Sequence, residues 1–151
     1  MMANVMHPMS DVRIDLLTIG RKHYVCLVDL YSKWPVCTKL RSSTTEAVIT
    51  VLRDWYETWG WPSLQISDKS QQFNNDEMAS FCKEQNIIQK FSSPNELNEI
   101  EVSRVRSLLK KCEENGSAFE EALEEWRNTP NSSTGLAPSE LFYREKYYAR
   151  Q

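Results

Sequence analysis

Two aspartates far apart in the sequence stand where they could share a metal ion. Asp15 lies within the apolar run VRIDLLTI (12–19), and Asp68 directly follows a second run, SLQIS (63–67). Hard cations such as Mg²⁺ prefer oxygen ligands, so two carboxylates at strand ends suit them. A third carboxylate would complete a two-metal site for phosphodiester chemistry. In such a site one ion activates the attacking water or hydroxyl, and the other stabilises the leaving oxygen.

Candidates for the third carboxylate lie at the entrance to a predicted helix over 100–115. They are Glu96, Glu99 and Glu101. The alternative is coincidence, because a chain with 21 acidic residues will often place two of them near strand ends. Spacing alone therefore favours an incidental placement over a catalytic one.

Hydrophobic periodicity predicts the elements that must position these acids. The predicted strands cover 12–19, 23–30, 34–41, 63–67 and 86–91, and the predicted helices cover 45–59, 76–85, 100–115 and 118–127, with a short helix opened by Pro138. A meander followed by alternating strands and helices predicts an α/β fold, a mixed five-stranded sheet flanked by helices. If the first strand lies beside the fourth, Asp15 and Asp68 share one crevice at the strand ends.

Composition and charge narrow the class of protein. The chain has 151 residues, 40% of them hydrophobic and 26% charged, which is typical of one globular domain. Its net charge of −3 argues against a general nucleic-acid binder, so DNA binding would depend on a local basic patch. One helix offers such a patch: Arg104, Arg106, Lys110 and Lys111. A solvated helix face is the preferred interpretation, because an acidic run follows over 120–125.

Cysteine usage and apolar runs indicate the cellular compartment. The cysteines are Cys26, Cys37, Cys82 and Cys112, and their spacing contains no C-x-x-C pair. With only His7 and His23 beside them, a zinc site is not expected, and we predict buried free thiols in a reducing compartment. No run approaches the ~18 apolar residues of a membrane span, and the first ten residues lack the pattern of a secretory signal. We therefore expect an intracellular, nuclear protein with no membrane partner.

Five stretches of the chain carry a specific pattern. They are VDLYSKWP (28–35), ISDKSQQF (66–73), FSSP (91–94), EVSRVRSLLKK (101–111) and WRNTPNSSTGLAPSELFY (126–143). Each of them, in this order, resembles a stretch of the catalytic core of gypsy-type retrotransposon and retroviral integrases. The resemblance implies an RNase H-like fold, in agreement with the predicted strand order. It places the domain at 12–146, with a flexible N-terminal segment over 1–11 and a C-terminal tail over 147–151.

The resemblance also assigns the two aspartates. Integrase cores use two aspartates and a glutamate on two metal ions to cut and join DNA. Asp15 takes the place of the first aspartate and Asp68 that of the second. The family usually has Asn-Gly after its second aspartate, whereas this chain has Lys69 and Ser70.

The third acid of the family is missing from its expected place. Matching residues 101–104 to the start of the family's helix puts Ser103 at the position of the catalytic glutamate. A serine hydroxyl brings no charge to Mg²⁺. Glu99 lies one helical turn earlier and is the candidate substitute for this acid.

Aromatic and acidic residues outside the triad are assigned by the same resemblance. Integrase cores dimerise through the helix at 45–59 and the later helix that contains Trp126. Trp55, Trp59 and Trp126 are therefore candidates for a dimer interface as well as for the core. Asp29 is not part of the family's triad, and we expect it to form a hydrogen bond near a turn.

Two functions follow from these observations. The first is a degenerate, domesticated integrase core that is catalytically inactive, needs no cofactor, and serves as a homodimerisation or protein-interaction module with weak DNA binding. The second is an active polynucleotidyl transferase that uses Mg²⁺ or Mn²⁺ on Asp15, Asp68 and Glu99. Ser103, the changed loops and the acidic balance favour the first.

Overall fold

The structure is a computed structural model, and it describes residues 7–92, 99–132 and 134–149. The elements in these ranges are β1 (Asp11–Ile19), β2 (Lys22–Asp29), β3 (Pro35–Lys39), α1 (Thr45–Trp59), β4 (Leu64–Ser67), α2 (Asp76–Glu84), β5 (Ile88–Phe91), α3 (Glu99–Asn115), α4 (Phe119–Arg127) and α5 (Pro138–Ala149). The predicted order of strands and helices is confirmed, and each boundary differs from its prediction by at most two residues.

The sheet has five strands in the order β3-β2-β1-β4-β5. β1, β2 and β3 form an antiparallel meander, while β4 runs parallel to β1 and β5 runs parallel to β4. Arg13 lies opposite Ile66 in the β1–β4 pair. Asp15 and Asp68 each come two residues later, Asp15 within β1 and Asp68 directly after β4, so both lie just beyond the last paired residues of these neighbouring strands. The arrangement that places the first strand beside the fourth is the one that the structure has.

Helices cover both faces of the sheet because alternate residues of β1 point to opposite sides. Val12 and Ile14 join a core with α1, α2 and Phe142 of α5. Leu17 joins a second cluster with Val105 of α3 and with residues of α4. The α1 helix that covers the first face begins after Thr44, whose side chain accepts a hydrogen bond from the Ala47 backbone N–H, an N-cap contact.

Cys26 and Cys37 are joined by a disulfide, and this corrects the prediction of four free thiols. The two residues are direct cross-strand partners in β2 and β3, with Cα atoms 4.1 Å apart. Their spacing along the chain does not reveal this register. Cys82 and Cys112 are buried and free, as predicted. With one pair oxidised, the cysteines no longer argue for a reducing compartment, and the cellular location stays a prediction.

Parts of both predicted terminal segments lie within the described residues. Within the segment 1–11, for which we predict flexibility, Met9 and Ser10 are buried. The Ser10 carbonyl oxygen accepts hydrogen bonds from the backbone N–H groups of Ser63 and Leu64, which ties the segment to β4. Residues 1–6 and 150–151 lie outside the described ranges, while 147–149 of the predicted tail continue α5. None of the helices in the described ranges combines the length and hydropathy that crossing a bilayer requires.

Candidate functional site

Asp15 lies on the sheet face that α3 covers, in register with Cys26 of β2. Its carboxylate is buried, and Oδ1 accepts a hydrogen bond of 2.9 Å from the Leu16 backbone N–H. Burial, reinforced by the negative charge of Asp68, raises the pKa of Asp15 from 3.8 to about 6. Asp15 and Asp68 therefore lie close enough to interact, and we call the space between their carboxylates the Asp15–Asp68 crevice.

Asp68 follows β4 directly and is half-buried. Its Oδ1 accepts a hydrogen bond of 2.9 Å from the Ser70 backbone N–H, which closes the turn after the strand. An aspartate that bonds the backbone two residues later is typical of such a turn. One oxygen of Asp68 is therefore already used by its own loop, and the Lys69 side chain is exposed.

Arg106 of α3 reaches across the crevice to Asp15. Its Nη2 lies 3.4 Å from Asp15 Oδ2, and the Arg106 side chain is 53% exposed while that of Asp15 is 9% exposed. The positive charge of Arg106 lowers the pKa of Asp15 and partly offsets the effect of burial. The sequence predicts a solvated helix face for Arg106, with a DNA-binding patch as the alternative, and its contact with Asp15 has no signal in the local pattern.

The position assigned to the third acid is occupied by an exposed serine. Ser103 lies on α3 three residues before Arg106, hence on the same side of the helix. Glu96 lies outside the described residues, and so do the side chains of Glu99 and Glu101. Across the described part of the chain, no group of three His, Cys, Asp or Glu residues is arranged to hold a metal ion.

These residues do not fit the divalent ion that an active site of this kind requires. Mg²⁺ is held by carboxylates together with water in near-octahedral geometry. Here one Asp15 oxygen accepts a backbone N–H, the other faces the Arg106 guanidinium, and one Asp68 oxygen is bound within its turn. The positive charge of the Arg106 guanidinium beside Asp15 also repels a divalent cation. The described side chains thus form an arginine–carboxylate site rather than a metal site.

The other predicted basic residues face different surroundings. The Arg104 guanidinium lies 4.5 Å from the centre of the Trp126 ring, a cation–π contact. Lys110 and Lys111 are exposed near the end of α3. Two of the four basic side chains, those of Arg104 and Arg106, therefore have partners within the protein.

The three candidate interface tryptophans differ in burial. Trp55 is 6% exposed and belongs to the core, so little of its surface is accessible to a partner. Trp59 is half-buried and contacts Trp34, with ring centres 4.8 Å apart. Trp126 is half-buried against the cluster beneath α3 and α4. Trp59 and Trp126 thus keep accessible surface.

The comparisons with known proteins identify the fold. No family model matches the sequence, and no curated protein matches it. Among solved structures, the chain is similar to the catalytic core domain of BIV integrase with a TM-score of 0.74 and 14% sequence identity. The similarity covers 95% of this chain and 99% of that chain. The chain therefore has the RNase H-like α/β fold of a retroviral integrase catalytic core, as predicted.

Proposed function

We propose that this chain is a degenerate, domesticated copy of a gypsy-type integrase core, without strand-transfer activity, that acts as a homodimerisation and protein-interaction module. The observation that carries the proposal is the contact between Arg106 and Asp15, at the position where the fold would otherwise present a metal ligand. Ser103 at the third position supports the same conclusion.

The chemical reason is that a guanidinium cannot replace a metal ion in hydrolysis or strand transfer. A metal ion lowers the pKa of a bound water and orients it for attack. Arginine supplies a positive charge and planar N–H donors, but it has no open coordination position and stays protonated. An Arg106–Asp15 pair can therefore stabilise the crevice without activating a nucleophile.

Loss of catalysis is tested by a nicking and disintegration assay on branched DNA with Mn²⁺. We expect no product from the folded protein, with circular dichroism as the check on folding. The Asp15→Asn variant is the control. Product that disappears in Asp15→Asn would contradict the proposal.

The module function is tested by the oligomeric state. Sedimentation should find a dimer at micromolar concentration that dissociates when a charge is introduced by Trp126→Glu. The matched control is Ile88→Glu, because Ile88 is an exposed apolar residue of β5 and lies outside both α1 and the helix that contains Trp126. A monomeric wild-type protein, or a dimer that both variants weaken equally, would contradict this assignment of the interface.

An active transferase is the second candidate, and one observation favours it. Asp15 and Asp68 share a crevice, as catalytic carboxylates do, and their mutual repulsion contributes to the raised pKa of Asp15. In this alternative Glu99 supplies the third carboxylate for Mg²⁺ or Mn²⁺, and DNA is the substrate. The same nicking assay decides between the two functions. A Glu99→Gln variant would then lose the activity together with Asp15→Asn.

A further inference from the structure

Two carboxylates in one crevice need positive charge nearby, and this chain supplies it from two arginines. Asp15 and Asp68 bring two negative charges. Arg106 and Arg13 both lower the pKa of Asp15, with the effect of Arg106 the larger. Among the described residues, these two arginines therefore offset part of the negative charge that acts on Asp15.

The two arginines are held in different ways. Arg13 lies two residues before Asp15 on the same face of β1, is fully buried, and donates from Nη1 to Ser92 Oγ at the end of β5. Arg106 comes from α3, with a side chain that is half-exposed and ends on Asp15. Arg13 is thus part of the sheet, whereas Arg106 can be replaced with little effect on the core.

We propose that Arg106 is the resident counter-ion of the Asp15–Asp68 crevice, which excludes divalent cations, and that an uncharged residue at position 106 converts the crevice into a divalent-cation site. The geometry supports this because the guanidinium lies against the Asp15 oxygen that does not accept the Leu16 N–H. A divalent ion needs that oxygen as a ligand. A divalent ion and the Arg106 guanidinium therefore compete for the same oxygen, Asp15 Oδ2.

This inference rests on the proposed function, the loss of metal-dependent catalysis. Its test measures the binding of a divalent ion, whereas the test of the proposed function measures DNA cleavage. The two can fail separately. DNA nicking by the wild-type protein would contradict the proposed function. Divalent-ion binding by a wild-type protein that does not nick DNA would contradict only the role of Arg106.

The experiment compares Mn²⁺ binding by the wild-type protein, Arg106→Gln, and Lys110→Gln. Lys110→Gln is the matched control because it removes one exposed positive charge from the same helix, four residues further along. Binding is measured by the electron paramagnetic resonance signal of free Mn²⁺ and by the shift in Tm. At tenfold excess over its Kd, Mn²⁺ should raise the Tm of Arg106→Gln by about 3–5 °C. The Tm of the other two proteins should not change.

Two further variants keep the result interpretable. Adding Asp15→Asn to Arg106→Gln should abolish the Mn²⁺-dependent shift, because it removes the ligand oxygen that the arginine had covered. Arg106→Met is a second uncharged replacement, which tests the same prediction if the glutamine variant is poorly folded. Equal Mn²⁺ responses of the wild-type protein and both uncharged variants would overturn the proposal, as would a response that survives Asp15→Asn.

Discussion

Two buried aspartates on neighbouring strands, Asp29 and Asp15, have different kinds of hydrogen-bond partner. Asp29 ends β2, and its carboxylate accepts hydrogen bonds from the backbone N–H groups of Met9 and Ser32 and from the Ser32 hydroxyl. Asp15 lies within β1 and accepts one local backbone N–H, while its other oxygen faces Arg106, 91 residues later. Asp29 thus forms the hydrogen bonds near a turn that its position predicts.

Asp29 and Asp15 differ in how firmly the partners of each carboxylate are held. Burial raises the pKa of both groups above their usual value. The donors to Asp29 are backbone and hydroxyl groups that are themselves buried, so the carboxylate is part of the turn. The partner of Asp15 is a half-exposed side chain from another element. Asp29 is therefore held by the turn itself, whereas the charged partner of Asp15 comes from a separate helix.

The largest effect should come from Asp29→Ala. The substitution leaves the N–H groups of Met9 and Ser32 buried without an acceptor, and each such group costs about 1–3 kcal/mol. We expect a loss of about 4 kcal/mol in the free energy of unfolding, measured by urea denaturation. Asp54→Ala, at an exposed aspartate of α1, is the control and should change stability by no more than about 0.5 kcal/mol. Similar losses in the two variants would break the comparison.

Asp15→Asn should instead stabilise the protein at neutral pH. Because the pKa of Asp15 is about 6 in the folded state against 3.8 ordinarily, its contribution is present in full below pH 3.8 and is lost as pH rises through about 6. The shift corresponds to about 2–3 kcal/mol. The wild-type protein should therefore lose about that much more stability than Asp15→Asn between pH 4 and pH 7.5. Parallel stability curves over this range would contradict the assignment.

The surroundings of Asp15 also show which contacts can be predicted from the sequence and which cannot. Hydrophobic periodicity predicted the strands and helices and their order along the chain, and one arrangement of these strands brings Asp15 and Asp68 together. The contact of Arg106 with Asp15 depends on how α3 lies across the sheet, and no local pattern encodes that packing. The Cys26–Cys37 disulfide was missed for the same reason, since strand register decides which residues stand opposite each other.

Ser32→Ala tests the hydrogen bonds around Asp29 and should have an intermediate effect on the free energy of unfolding. The Ser32 hydroxyl donates to Asp29 Oδ2 and accepts from the Trp34 backbone N–H, and all of these atoms are buried. Loss of both bonds should lower the free energy of unfolding by about 1–2 kcal/mol. Thr50→Ala is the control, because the Thr50 hydroxyl is exposed and donates only within α1. Equal effects of the two variants would show that burial of the Ser32 network adds nothing.

The smallest effect should come from Arg106→Gln in the absence of metal, and it should depend on salt. The Arg106 side chain is half-exposed, so its ion pair with Asp15 is expected to contribute less than about 1 kcal/mol. A double-mutant cycle with Asp15→Asn isolates that coupling, and raising the salt from about 0.05 M to about 0.5 M should weaken it because exposed charges are screened. The coupling between Asp29 and Ser32, measured in the same way, should not change with salt because that pair is buried. If both couplings respond equally to salt, the distinction between an exchangeable partner at Asp15 and a built-in one at Asp29 is wrong.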